Sequence, residues 1–152
     1  MVTWGSNSKA GDLLENLRKK LVSGARDVSK NAYAPYSGYH VGAALMTTEG
    51  NIFTGTNVEN SSYGATICAE RGAIMNAVAT QGPTMRISAI AVMTSSSPPA
   101  APCGECLQVL VEFAPDEALV FLANQKGEVT TYSLKELLPK AFRQDTLQNR
   151  HP

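Results

Sequence analysis

Two short segments hold the residue types that could do chemistry: Cys68-Ala-Glu70 and Pro102-Cys103-Gly-Glu-Cys106. Cys103 and Cys106 are spaced C-x-x-C. On the first turn of a helix, positions i and i+3 face the same side, so both sulfurs can reach one ion. Zinc takes thiolates at about 2.3 Å in tetrahedral geometry, and three protein ligands leave a fourth position for water. Cys68 can supply the third sulfur. That count matches a catalytic zinc rather than a structural one, which needs a fourth protein ligand.

The spacing also says where these residues must sit. Cys68 and Glu70 are two apart, and such residues do not face each other within a helix. Both can serve one site only if Cys68 stands at the helix start, outside regular geometry. The partial positive charge there stabilises a thiolate. Cys103 follows Pro102, a residue suited to a helix start because its missing N–H is not needed there. Arg71 comes directly after Glu70 and can offset the excess negative charge of three thiolates around one dication.

Free cysteines are often small buried hydrophobes, and a lone C-x-x-C also fits a redox pair. The Cys-Ala-Glu segment 35 residues upstream, on a separate helix start, argues against both. His40 lies at a strand entry among apolar residues and reads as a strand or interface residue, whereas His151 lies in the polar tail.

The elements that must position these residues can be read from periodicity. The chain has 152 residues, enough for one domain with a real core, and is 43% hydrophobic, ordinary for a globular protein. Residues 1–10 are polar and Gly/Ser-containing and are expected to form a loose tail, residues 11–142 a single domain, and residues 143–152 a polar tail. Leu14, Leu17, Leu21, Ala25 and Val28 make one apolar helical stripe. Val41–Met46 suits a buried strand, and Thr47-Thr-Glu-Gly-Asn51 reads as a hairpin turn into Ile52–Thr56. A helix is expected over Thr66–Thr80, with Ile67, Ile74, Ala77 and Val78 on one face. Ile87–Met93 is a strand candidate. Three prolines make residues 95–102 a loop. Cys103–Phe113 returns to helical spacing, Ala118–Ala123 and Glu128–Tyr132 are strands, and Ser133–Leu138 is a short helix. The alternation predicts an α/β layered domain, largely parallel after the initial hairpin.

Composition excludes several function classes. Thirteen basic and thirteen acidic residues cancel, so the basic excess of a nucleic-acid binder is missing. Apolar runs fall far short of the ~18 residues of a membrane span. Residues 1–20 hold Asp12, Glu15 and four cations without an apolar core, so no ordinary signal peptide is expected and the cytoplasm is favoured. Charged residues make up 17%, below the typical ~25%, which suggests surface covered by other subunits.

Taken together, the segments resemble the cytidine deaminase family in its short, homotetrameric form. The resemblance runs from about Tyr33 to Phe142, through Tyr33-Ala-Pro-Tyr-Ser37, Val41-Gly-Ala-Ala-Leu45, Thr54-Gly-Thr-Asn-Val-Glu-Asn60, Tyr63, Cys68-Ala-Glu-Arg71, Pro102-Cys-Gly-Glu-Cys106 and Glu136-Leu-Leu-Pro-Lys-Ala-Phe142. Zinc deaminases carry P-C-x-x-C with a glutamate that is not a ligand. The resemblance implies a mixed five-stranded sheet flanked by helices and one zinc per chain, held by Cys68, Cys103 and Cys106 at two helix N-termini. It implies Glu70 as proton shuttle and Arg71 as the arginine that hydrogen-bonds the thiolates. Asn57 and Glu59 match a ribose-binding pair. Tyr39 stands where a phenylalanine usually packs on the pyrimidine. Tyr63 and Phe142 match aromatics near the site, where neighbouring subunits complete the pocket. Backbone groups of Ala69 and Ala101 match contacts to the pyrimidine. Leu107 departs from the family, which commonly has arginine there.

The implied reaction is hydrolytic deamination of cytidine and 2′-deoxycytidine, a step of pyrimidine salvage, by a homotetramer with shared active sites. The alternatives are deamination of another cytosine-containing compound such as blasticidin S, and a non-enzymatic zinc module. Neutral charge, and Cys68 where polynucleotide deaminases usually place histidine, argue against a nucleic-acid substrate.

Overall fold

The computed structural model describes residues 8–148. The elements run α1 (Ser8–Ser29), β1 (Gly42–Thr47), β2 (Ile52–Thr56), a 3-10 turn (Tyr63–Ala65), α2 (Ala69–Gln81), β3 (Ile87–Thr94), α3 (Gly104–Phe113), β4 (Leu119–Asn124), β5 (Val129–Ser133), α4 (Leu134–Leu137) and α5 (Gln144–Gln148). Both expected tails carry helical residues. Helix α1 takes in residues 8–10 of the expected tail, and α5 forms within the expected polar C-terminal tail. Residues 1–7 and 149–152, His151 among them, lie outside the described residues.

The five strands form one sheet in the order β2-β1-β3-β4-β5. Only β3 and β4 run parallel, and the other three neighbouring pairs are antiparallel. The sheet is therefore mixed, as the family resemblance implies, and not largely parallel, as the alternation of elements suggested. The reason is topological. The crossover from β2 through α2 passes over β1, so β3 lands beside β1 and antiparallel to it.

The core has two layers, set by the two-residue period of the strands. Ala43, Leu45, Ile90, Val92, Val120 and Leu122 face the layer shared with α2 and α3. Ala44, Ala89, Ala91, Met93, Phe121 and Ala123 face the layer built with Leu21, Val22 and Ala25 of α1. β3 is buried on both faces, which explains its unbroken apolar run. The stripe read for α1 is thus the face it buries. Ile67 is not on the α2 face; it makes an isolated bridge to Val58 before the helix begins.

Helix α2 lies unusually close to β2. A Cβ on Gly55 would meet the backbone nitrogen of Ala73 at 2.2 Å and the carbonyl oxygen of Ala69 at 2.5 Å. Only glycine permits that approach, and it sets the height of the α2 start over the sheet. Gly55→Ala is expected to lower stability at the upper end of the roughly 1–3 kcal/mol typical of overpacking. Denaturant titration checks this, and an unchanged midpoint would show that the helix can simply lift.

Candidate active site

Cys68 is the N-cap of α2, with φ −73° and ψ 155°. Cys103 is the N-cap of α3, with φ −65° and ψ 163°, and its Sγ accepts a hydrogen bond from the Cys106 amide at 3.5 Å. Both cysteines thus stand at helix starts in extended conformation, as their spacing requires. The three Sγ atoms of Cys68, Cys103 and Cys106 lie within 4.8 Å of one another. Thiolates at about 2.3 Å from a tetrahedral zinc sit about 3.8 Å apart, so a small contraction seats the ion. The donor set is all sulfur, suited to zinc. Cys103 is exposed and Cys106 buried, so one side of the triangle opens outward.

The electrostatics follow from crowding three thiols under two helix ends. A hydrogen bond from Cys106, aided by the Arg71 guanidinium and opposed by burial, pushes the Cys68 thiol down to about 5. The same hydrogen bond, with burial and the Glu70 charge, pushes Cys106 up. Cys68 is thus the more acidic thiol of the pair and Cys106 the less acidic. That thiol donates to Glu70 Oε2 at 3.6 Å. Glu70 is 4% exposed; burial raises its pKa, partly offset by its own backbone amide, and the Cys68 charge raises it further.

Arg71 spans the site edge. Its Nη2 donates to Thr66 O at 3.0 Å and to Cys68 Sγ at 3.8 Å, and its Nη1 donates to Glu105 Oε1 at 3.0 Å. Glu105 was not singled out in the sequence; its place inside the C-x-x-C pair, on the first turn of the second helix, was the available signal.

A cavity of about 300 Å³ opens over Cys68 and Cys103, lined also by Tyr39, Asn57, Glu59, Ala69, Glu70 and Ala101. The structure therefore brings eight of the twelve site residues singled out in the sequence to one cavity wall, and Cys106 and Arg71 lie in contact with that group. Asn57 Oδ1 accepts from the Val41 amide at 2.9 Å and Nδ2 donates to Tyr39 O at 2.8 Å, leaving one N–H and one lone pair for a ligand. Glu59 accepts from the Tyr36 amide at 2.8 Å, from the Ser37 amide at 3.2 Å and from the Ser37 hydroxyl. These bonds, the Ser37 hydroxyl foremost, hold its carboxyl below the usual carboxylate range. Tyr39 Oη pairs with Ser96 Oγ at 3.0 Å.

Tyr63 and Phe142 do not line this cavity. Tyr63 borders an adjoining depression with Tyr36, Ser37, Glu59 and Thr66, its ring edge-on to Tyr36 at 5.8 Å between centroids. Phe142 is exposed, and its carbonyl accepts from Gln108 Nε2 at 2.8 Å. His40 is not among the three candidate ligands. The proline-rich loop carrying Ala101 is held by two residues not singled out in the sequence. Thr94 Oγ1 accepts from the Ala100 amide at 3.2 Å, and the fully buried Asn124 donates to Ser96 O at 3.1 Å.

A mixed five-stranded sheet carrying three convergent thiols at two helix N-termini, with a buried carboxylate beside them, defines a zinc-binding α/β domain of catalytic type. The family described as "Cytidine and deoxycytidylate deaminase zinc-binding region" matches residues 15–123, and the chain belongs to this family. It is 42% identical over 125 residues to a cytidine deaminase of Halalkalibacterium halodurans, covering 82% of this chain and 93% of that protein. The crystal structure of a cytidine deaminase from Burkholderia pseudomallei superposes with a TM-score of 0.77 at 45% identity, over 82% of this chain and 98% of that one. One from Mycobacterium tuberculosis gives 0.71 at 37% identity, over 82% and 96%.

Proposed function

We propose that this protein is a zinc-dependent hydrolase that deaminates cytidine and 2′-deoxycytidine to the uridines with release of ammonia, a reaction of pyrimidine salvage. The observation that carries this reading is Glu70: a buried carboxylate on the same cavity wall as the sulfurs, 3.6 Å from Cys106 Sγ. Ammonia release from cytidine by the purified protein tests it. Absence of turnover by zinc-replete protein would leave a non-enzymatic zinc module as the better reading.

Cys68, Cys103 and Cys106 would hold the zinc. When bound, zinc supplies a water whose pKa falls toward neutrality. Glu70 takes a proton from water and delivers it to ring N3, which makes C4 electrophilic toward the water oxygen. Glu70 then moves a second proton to the leaving amine, so one carboxylate serves as base and acid in turn. Burial raises the proton affinity of its carboxylate, so the ionised form takes the water proton and the acid so formed delivers it. Arg71 draws charge from Cys68 and partly restores the Lewis acidity that three thiolates diminish. The amide of Ala69, in the first turn of α2, has no intrahelical partner and faces the pyrimidine with the carbonyl of Ala101. Tyr39 packs against the base.

Asn57 and Glu59 hold the ribose hydroxyls. This clamp favours an ordinary nucleoside over a compound such as blasticidin S. Glu59→Ala is expected to lower kcat/KM for cytidine about tenfold to a hundredfold, the loss of a charge-assisted hydrogen bond, without changing zinc content. Kinetic constants at the wild-type level would assign Glu59 to holding the Tyr36–Ser37 turn alone.

The assembly we assign is a homotetramer with shared sites. Support comes from the low charge content and the exposed Tyr33, Tyr36, Val58, Tyr63 and Phe142. Light scattering is expected to give four chains per particle; a fully active monomer would reject the assignment. No helix among the described residues is long and apolar enough to cross a membrane. Three free thiols suit a reducing compartment such as the cytoplasm.

A further inference from the structure

We infer that Glu105 is a positioning residue for the metal centre: through its ion pair with Arg71 it straps the start of α3 to the start of α2 and holds the thiolates at metal-binding separation. This rests on the reading of Cys68, Cys103 and Cys106 as the zinc ligands.

The ligand set is divided. Cys68 belongs to the start of α2, and Cys103 and Cys106 to the start of α3, so the spacing of two helix ends decides whether three sulfurs fit one ion. Side-chain hydrogen bonds of two kinds join those ends among the described residues. One kind is made by the thiols, Cys106 to Cys68 and Cys106 Sγ to Glu70 Oε2 at 3.6 Å, and uses thiol protons that metal binding displaces. The other, Arg71 Nη1 to Glu105 Oε1 at 3.0 Å, involves no ligand atom and persists when the metal binds.

The guanidinium geometry makes this second bond matter. Arg71 Nε is buried with no hydrogen-bond partner, so the plane is held by its two Nη ends alone. Nη2 is committed to Thr66 O and Cys68 Sγ. Removing the Glu105 carboxylate frees the other end, and the cation is no longer aimed at the Cys68 sulfur. No other cation among the described residues hydrogen-bonds a cysteine sulfur. Leu107, beside Cys106, is buried and apolar and brings no charge.

The Glu105 side chain is 68% exposed and that of Arg71 15%. A pair so open adds little to global stability, which separates a strap on the metal from a general prop of the fold. The effect belongs to metal retention, where residues that touch ligands rather than the metal typically change affinity about 10–100-fold.

The test is chelator competition on purified holoenzyme, with far-UV circular dichroism as the check on folding. E105Q is expected to bind zinc about tenfold more weakly, and R71Q at least as weakly as E105Q. The double variant E105Q/R71Q is expected to match R71Q, because without the guanidinium there is nothing for Glu105 to hold. If R71Q does not fold, R71K takes its place in the cycle, since lysine keeps the charge but lacks the two-ended fork. Zinc affinity of E105Q within about twofold of wild type would overturn the inference. So would an undiminished E105Q effect in the R71Q background, which would mean that the carboxylate acts only by its charge near the ion. Failure of the ligand reading looks different: there, Cys106→Ala itself would keep zinc.

Discussion

Glu70→Gln is expected to keep zinc at the wild-type level and to lose at least about 10⁴-fold in kcat, the upper end of what a positioned acid–base group contributes. The amide is nearly isosteric with the carboxylate, so the packing of a residue only 4% exposed barely changes. What changes is proton chemistry. The amide oxygen is too weak a base to take a proton from water, and the amide offers no acidic proton to N3 or to the leaving amine. Because Glu70 is asked to act on more than one proton transfer, no later step restores what the first one loses. The competing account treats Glu70 as a helix N-terminal acid that only complements the dipole, worth about 0.3–1 kcal/mol of stability and nothing in rate. Its burial among sulfurs already speaks against that account, since such acids ordinarily sit in solvent. Steady-state kinetics and metal analysis on one sample separate the two. A variant that keeps its zinc and turns over cytidine within about tenfold of wild type has a barrier raised by only ~1.4 kcal/mol, and the proton-shuttle role is then wrong.

Cys106→Ala is expected to abolish tight zinc binding, with an affinity loss of roughly a thousandfold or more, beyond the about 10–100-fold caused by changes to residues that only touch ligands. Cys106 is the innermost of the three sulfurs, fully buried beneath the cavity floor. Two thiolates remaining at two helix starts cannot complete a site for zinc in which three protein ligands are needed. If Cys106 were instead a small core hydrophobe, alanine in its place would cost about 1 kcal/mol of stability, near the centre of the mutational distribution, and zinc content would be unchanged. Equilibrium dialysis against zinc, followed by elemental analysis, distinguishes a metal ligand from a packing residue. Retention of one tightly bound zinc per chain would remove Cys106 from the ligand set.

Much of the site was legible in the sequence because its chemistry is local. Cys68-Ala-Glu70 and Pro102-Cys103-Gly-Glu-Cys106 state their own geometry: two-residue spacing puts Cys68 at a helix start, and three-residue spacing aligns Cys103 with Cys106. Helical periodicity likewise placed α1, and apolar runs bounded by turn residues placed β1, β2 and β3, since both signals are written in consecutive residues. The tertiary structure decided what depends on residues far apart in the chain. It set β1 between β2 and β3, because the order of strands is a matter of crossover and packing and not of period. It placed Ile67 in a bridge to Val58 rather than on α2, where a helical repeat had counted it. It bound Glu59 to the Tyr36–Ser37 turn, Asn124 to the proline-rich loop and Glu105 to Arg71, contacts 22 to 34 residues apart in sequence. A polar side chain in a loop has no periodicity to announce its partner. Its role exists only once the backbone has carried donor and acceptor to within about 3 Å of each other.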